Sequence, residues 1–353
     1  MKDILQRLSR KEELGQSEID EMISGIGEDL FSREQVAGFL MGLLMKGPTV
    51  GEVAAIARAM HRVCVPINLP YRDRLTDTCG TGGGLNTFNV SSANALLSAA
   101  AGVMIAKHGS RSISASSGSA CVLESLGIEV ELMPSQAEAL IKEVGFAFFY
   151  APLFHPVMMK VLPPENELGI KTIFFTIIGP LINPAGARRH VLGVYRPELV
   201  DQVAQVVAEL DYEHVMVVHG LDGLDEISML GETRIAEVKR GKINNYTIAP
   251  EDFGMERCCL EDVRGGSPPY NAEVILELFK GKERGPKRDM LLLNAAATMV
   301  VSGKTSSLEE GLHMAETVLE SGAALNRLNM IRDKSRALKG AVKSGSGQVY
   351  SFS

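Results

Sequence analysis

Glycine fills four of the five positions from 80 to 84, directly after a short apolar run ending near Asp77 and ahead of a helix-patterned stretch from about Ser91 to Ala101. Few architectures accept such a turn. Without Cβ atoms the backbone amides can close on an anion, and a helix starting just beyond adds its unpaired N–H groups and partial positive charge. The turn matches neither the dinucleotide fingerprint nor the Walker pattern, so a plain tight strand-to-helix connection is the competing reading. Further strand-like runs at Val103–Ala106, Ala147–Tyr150, Val191–Tyr195 and Val215–Val218 alternate with helical patterns at Ser135–Val144 and Glu198–Leu210. That alternation predicts an α/β fold with a mainly parallel central sheet.

Ahead of this region the period is different. From residue 3 to about 63 apolar residues recur every three or four positions, with breaks at Gly15-Gln16-Ser17, near Gly27 and at Gly47-Pro48, which predicts about four short amphipathic helices. Ser32 and Gln35 have the spacing of a capping box before the third of them. Two more helices are expected at Met290–Val300 and Ser306–Leu319, the second opened by Ser306 and Glu309 and ended by Gly322. The expected layout is a small all-helical domain at 1–66, joined by part of 160–185, a larger α/β domain at 67–345, and a Ser/Gly-rich tail at 346–353.

Charge and cysteine content narrow the function. With 36 basic and 43 acidic residues the net charge is −7, which opposes nonspecific attraction to a phosphate polymer, so no nucleic-acid partner is expected. The five cysteines are odd in number and form no CxxC, which argues against a disulfide framework or a zinc site and fits a reducing cytoplasm. The N-terminal residues lack a signal-peptide apolar core, and the run Thr172–Ile182 is broken by Gly179-Pro180, so neither secretion nor a membrane span is expected.

Three further segments carry chemistry. Lys107, His108 and Arg111 follow a strand beside a run of serines and glycines, where cations and hydroxyls suit phosphates, although a solvated basic turn would read the same. Asp222, Asp225 and Glu226 follow the strand Val215–Val218 and are hard oxygen ligands of the kind magnesium joins to phosphate oxygens, the alternative being a solvated acidic loop. His155-Pro156, Gly179-Pro180 and Asn183-Pro184 supply rigid turns that could wall an acceptor pocket.

Together these segments resemble the anthranilate phosphoribosyltransferase family of tryptophan biosynthesis over nearly the whole chain. The carriers, in order, are FLMGLLMKGPT at 39–49, GTGG at 80–83, NVSS at 89–92, KHGSR at 107–111, GSACVLESLG at 118–127, the His-Pro pair, GPLINPA at 179–185, DGLDEIS at 222–228 and RDMLLLNAAA at 288–297. The resemblance implies a magnesium-dependent pentosyltransferase that moves the 5-phosphoribosyl group from phosphoribosyl diphosphate to an aromatic amine, anthranilate, and releases diphosphate. It also implies a homodimer formed through the helical part. Donor contacts would come from Gly80, Thr81, Gly82, Gly83, Thr87, Asn89, Ser91, Ser92, Lys107, Arg111 and Ser119. Two Mg2+ ions would sit on Ser91, Asp225 and Glu226. The acceptor pocket would take in His108, Ser110, His155, Pro156, Glu165, Gly179 and Pro180, with no general base assigned.

The departures gather on the acceptor side. Glu165 stands where the family has the arginine expected to bind the anthranilate carboxylate, and an acid cannot pair with that group at neutral pH. Ser110 replaces an asparagine, the glycine loop is one residue shorter and lacks an aspartate at Gly84, Cys121 replaces an aspartate, and TIFFTIIGPL carries one extra residue. A different nitrogen acceptor, a nucleoside phosphorylase-like reaction and a non-catalytic binding paralogue are the alternatives.

Overall fold

A computed structural model of the chain describes residues 1–111 and 117–344; the serines at 112, 114 and 116 and the tail from 345 onward lie outside the described residues. The apolar period of the opening segment folds into four helices, Lys2–Ser9, Gln16–Gly27, Arg33–Lys46 and Val50–Val63. Ser32 accepts from the Gln35 amide while the Gln35 side chain accepts from the Ser32 amide, closing the capping box. A buried ion pair ties the third helix to the fourth: Lys46 Nζ lies 2.6 Å from Glu52, whose carboxylate also accepts from the Leu14 and Thr49 amides.

The rest is organised on a seven-stranded sheet formed by β1 (Leu75–Asp77), β2 (Met104–Gly109), β3 (Phe146–Tyr150), β4 (Arg189–Gly193), β5 (His214–Gly220), β6 (Thr233–Lys239) and β7 (Lys242–Ile248). Their order is β3-β2-β1-β4-β5-β6-β7, parallel from β3 to β5 and antiparallel thereafter. Side chains along β5 alternate between two cores, Met216 and Val218 on one face and Val215 and Val217 on the other. The first core packs against the helices Val90–Ala100, Pro134–Val144 and Pro286–Ser302. The second runs unbroken from the sheet through the helix Glu198–Glu209 into the N-terminal helices. Val157, Val161, Phe174 and Ile178 belong to this second core.

Three elements differ from expectation. The β6–β7 hairpin was not foreseen: β7 is an edge strand of sequence KINNYTI, mostly exposed, with no apolar alternation to betray it. Its two-residue turn, Arg240-Gly241, places both residues at positive φ, the twist that suits a hairpin. The helix expected from Ser306 starts one residue later, with Ser307 as the cap accepting from the Glu310 amide. Gly322 does not end the helical region. It sits at φ +75° between Leu308–Glu320 and a further helix, Ala323–Ser344, which reaches into the stretch expected to begin the tail. Among the described residues no helix is long and apolar enough to cross a membrane.

Candidate active site

The parallel strands deliver their carboxyl ends to one cavity of about 840 Å³. β1 ends in Asp77, a buried carboxylate that acts as a splint. One oxygen accepts from the Thr78, Cys79 and His108 amides and the other from the Asn183 side chain at 2.7 Å. The glycine loop that follows is pinned to β4, with the Thr81 amide donating to the Gly193 carbonyl at 2.9 Å. Gly193 and Gly84 are required by close approach. A Cβ on Gly193 would fall 1.6 Å from the Asp225 carbonyl oxygen, and one on Gly84 would fall 2.6 Å from the Asp225 carboxylate. That contact also explains why an aspartate has no room at position 84 in this loop.

Beyond the loop, Asn89 adopts the left-handed conformation (φ 63°, ψ 50°) immediately before the helix Val90–Ala100. Its side chain accepts from Ser117 at 2.9 Å and Asn271 at 2.7 Å and donates to the Ser117 carbonyl, which holds a backbone geometry otherwise uncommon for a non-glycine residue. Lys107, on β2, is buried with Nζ 3.1 Å from the Thr78 hydroxyl and 3.4 Å from the Ser91 hydroxyl, so its charge is aimed at the helix start. Burial lowers its pKa, opposed by nearby Cys79, Asp77 and Glu226.

Asp225 and Glu226 border the same cavity. Burial raises both carboxyl pKa values. For Glu226, where the shift is large, the charge of Asp225 adds to it, while Lys107 and the Ser91 amide work against it. One Glu226 carboxylate oxygen is buried with no hydrogen-bond partner. Two adjacent buried acids with an orphaned oxygen call for a cation, and Ser91, Asp225 and Glu226 together fit a magnesium ion. No group of three or more His, Cys, Asp or Glu side chains among the described residues makes a complete cage. Magnesium is well suited to such a partial site, because it completes its shell with water and substrate phosphate.

The opposite wall holds His108 and His155, both buried, with ring centroids 5.0 Å apart at 74°. Burial drives both toward the neutral form, His108 to about 4. His108 Nδ1 lies 3.1 Å from the Gly179 carbonyl, so it carries the hydrogen and Nε2 keeps its lone pair. The extra residue in TIFFTIIGPL is absorbed by a π-helical turn at Phe174–Ile178, which widens the helix by one residue and leaves Gly179 at its post beside His108.

Most of the expected site residues line this cavity: Gly80, Thr81, Gly82, Gly83, Thr87, Asn89, Ser91, Lys107, Arg111 and Ser119 on the donor side, and His108, Ser110, His155, Gly179 and Pro180 on the acceptor side. Three do not. Ser92 is fully buried within its helix, and Pro156 caps the start of the helix Pro156–Leu168 without lining the cavity. Glu165 is the substantive correction. It is 1% exposed and turned from the cavity, with one carboxylate oxygen accepting from the Thr172 amide and the other unpartnered. An amide donor within reach and the apolar helical bundle around it draw the carboxylate inward, and burial raises its pKa. Residues that sequence reasoning missed include Asp77, Asn183 and Asn271, which brace the loops, and Met158, Leu162 and Phe174, which line the acceptor wall.

Residues 2–64 match the family described as "Glycosyl transferase family, helical bundle domain" and residues 72–325 the one described as "Glycosyl transferase family, a/b domain". The anthranilate phosphoribosyltransferase of Petrotoga mobilis is 44% identical over 325 residues, covering 92% of this chain and 94% of that protein. That of Methanosarcina acetivorans is 44% identical over 336 residues, covering 94% and 89%. The crystal structure of the Thermus thermophilus anthranilate phosphoribosyltransferase superposes with a TM-score of 0.88 at 40% identity, covering 95% of this chain and 99% of that one. The Saccharomyces cerevisiae enzyme in complex with PRPP and Mg gives 0.85 at 28% identity, covering 95% and 97%. With the same two-part architecture, the same loops around one cavity and this level of identity along almost its full length, the chain belongs to the anthranilate phosphoribosyltransferase family.

Proposed function

We propose that this chain transfers the 5-phosphoribosyl group of phosphoribosyl diphosphate to the nitrogen of an aromatic amine and releases diphosphate. The observation that carries the reading is the meeting of the glycine loop, the Asn89–Ser91 helix start, Lys107 and the Asp225-Glu226 pair around one cavity. The amine lone pair forms a bond to the anomeric carbon as the bond from that carbon to a diphosphate oxygen breaks. The electron pair leaves with diphosphate, and the nitrogen sheds one proton to water. Charge accumulates on the leaving group, so the strongest aid is a fixed positive field there. Lys107 and the unpaired amides at the helix start supply it from the protein, and magnesium held by Ser91, Asp225 and Glu226 would neutralise the remaining diphosphate charge. The acceptor needs positioning more than activation, since an aromatic amine is already uncharged at neutral pH.

Titration calorimetry with phosphoribosyl diphosphate, with and without magnesium, tests the donor half; absence of magnesium-dependent binding refutes the reading. Diphosphate release with anthranilate, the acceptor in the relatives' names, and with other aromatic amines tests the second half. Lys107→Met is expected to lower kcat by roughly 10²–10³-fold, the loss typical of removing one preorganised charge at a developing anion. An unchanged kcat would exclude Lys107 from that role.

A further inference from the structure

The acceptor end of the cavity carries no buried cation to meet an anion. Its floor is apolar, formed by Met158, Leu162 and Phe174. Arg111 reaches the cavity edge but is held by Glu124, by Glu131 at 2.8 Å and by the Tyr150 hydroxyl at 2.8 Å, so two carboxylates already balance its charge. Lys107 points to the donor end. Lys171 lies at the solvent-exposed rim.

What the wall does present is polar and neutral. His108 donates through Nδ1 to Gly179, which leaves the Nε2 lone pair buried and without a partner; both ring nitrogens of His155 are likewise buried and unpartnered. A lone pair asks for an N–H donor and repels a carboxylate. Burying an unpaired carboxylate against this apolar floor would cost far more than burying an amide of the same shape. Glu165, on the same helix as Met158 and Leu162, adds no positive charge and is engaged with the Thr172 amide.

We infer that the acceptor is a neutral aromatic amine or nitrogen heterocycle, offering an N–H group to His108, and that an aromatic carboxylate is selected against. The inference rests on the transferase reading and narrows its substrate class.

The test compares anthranilate with 2-aminobenzamide, an isosteric pair differing in the charge of one substituent, at saturating phosphoribosyl diphosphate and magnesium. The amide is expected to show at least a tenfold higher kcat/KM; equal use or a preference for anthranilate overturns the proposal. Leu162→Arg, which adds a cation to the floor, is expected to swing the ratio toward anthranilate by tenfold or more, and an unmoved ratio in a folded variant counts against it. Should that variant fail to fold, the wild-type ratio decides alone. Lys171→Met is expected to leave the ratio unchanged, and a loss confined to anthranilate would show the rim lysine holding a carboxylate and overturn the proposal. If the chain binds magnesium-phosphoribosyl diphosphate yet uses neither compound, the neutral-amine assignment is wrong. If it does not bind the diphosphate at all, the transferase reading fails instead.

Discussion

Replacing Gly193 by alanine should separate two loops that the site needs in contact. Gly193 ends β4, its carbonyl accepts the Thr81 amide, and a Cβ there would lie 1.6 Å from the Asp225 carbonyl oxygen. Real Cβ contacts essentially never fall under 3.0 Å, so the Asp225 loop must retreat by at least about 1.4 Å, and no flexible side-chain tip lies in between to absorb the shift. Overpacking of this kind costs roughly 1–3 kcal/mol of stability. The functional cost should be larger, because a misplacement of about 1 Å in a catalytic constellation lowers rate on the order of 10²-fold. Gly82→Ala is the matched control. Gly82 also sits at positive φ (+65°), but nothing lies within 4 Å of its would-be Cβ, so only backbone strain of roughly 1–2 kcal/mol is expected. Thermal melts and titration of phosphoribosyl diphosphate with magnesium on both variants separate strain from displacement. If Gly193→Ala binds the diphosphate as the unaltered chain does, the claim that the Asp225 loop must touch the glycine loop is wrong.

Two further outcomes follow from buried charge. Glu226, whose carboxyl pKa is raised on folding, contributes stability that is present below the ordinary carboxylate range and is lost as pH rises through its folded pKa; urea melts without magnesium should show Glu226→Gln gaining relative to the unaltered chain as pH rises, and a constant difference would refute the assignment. Glu52→Ala removes one partner of the buried Lys46–Glu52 pair and strands the lysine, so it should destabilise by about 3–5 kcal/mol in denaturant titration, while a loss under 1 kcal/mol would mean the lysine finds water.

The donor half was legible because its chemistry restricts residue type. Only glycines allow the approach seen at Gly84 and Gly193, only oxygen-rich side chains suit a magnesium ion, and a lysine at the end of a strand has few purposes other than an anion. Each leaves a mark in the letters themselves. The bracing residues left none: Asp77 gains its meaning from four donors, one of them on Asn183, more than a hundred positions away, and Asn271 from meeting Asn89 across the fold. The hairpin β6–β7 was hidden for a different reason, since a solvent-facing edge strand buries no alternating side chains and so carries no period of two.

The acceptor half shows how a substitution can be read correctly as chemistry and wrongly as position. An acid at 165 does exclude pairing with a carboxylate there, but the side chain is not where that contact would be made. A backbone amide seven positions on captures it, at the point where the chain enters the π-helical turn carrying Phe174. The substitution at 165 and the extra residue at 174–178 are therefore structurally linked. One fixes the start of the segment, the other lengthens it, and the segment ends at Gly179, which orients His108. A segment anchored at both ends can accept an insertion only by bulging in its middle, where its side chains form the cavity wall. Changes in this stretch thus reshape the acceptor pocket while leaving the donor loops, carried on β1, β4 and β5, undisturbed.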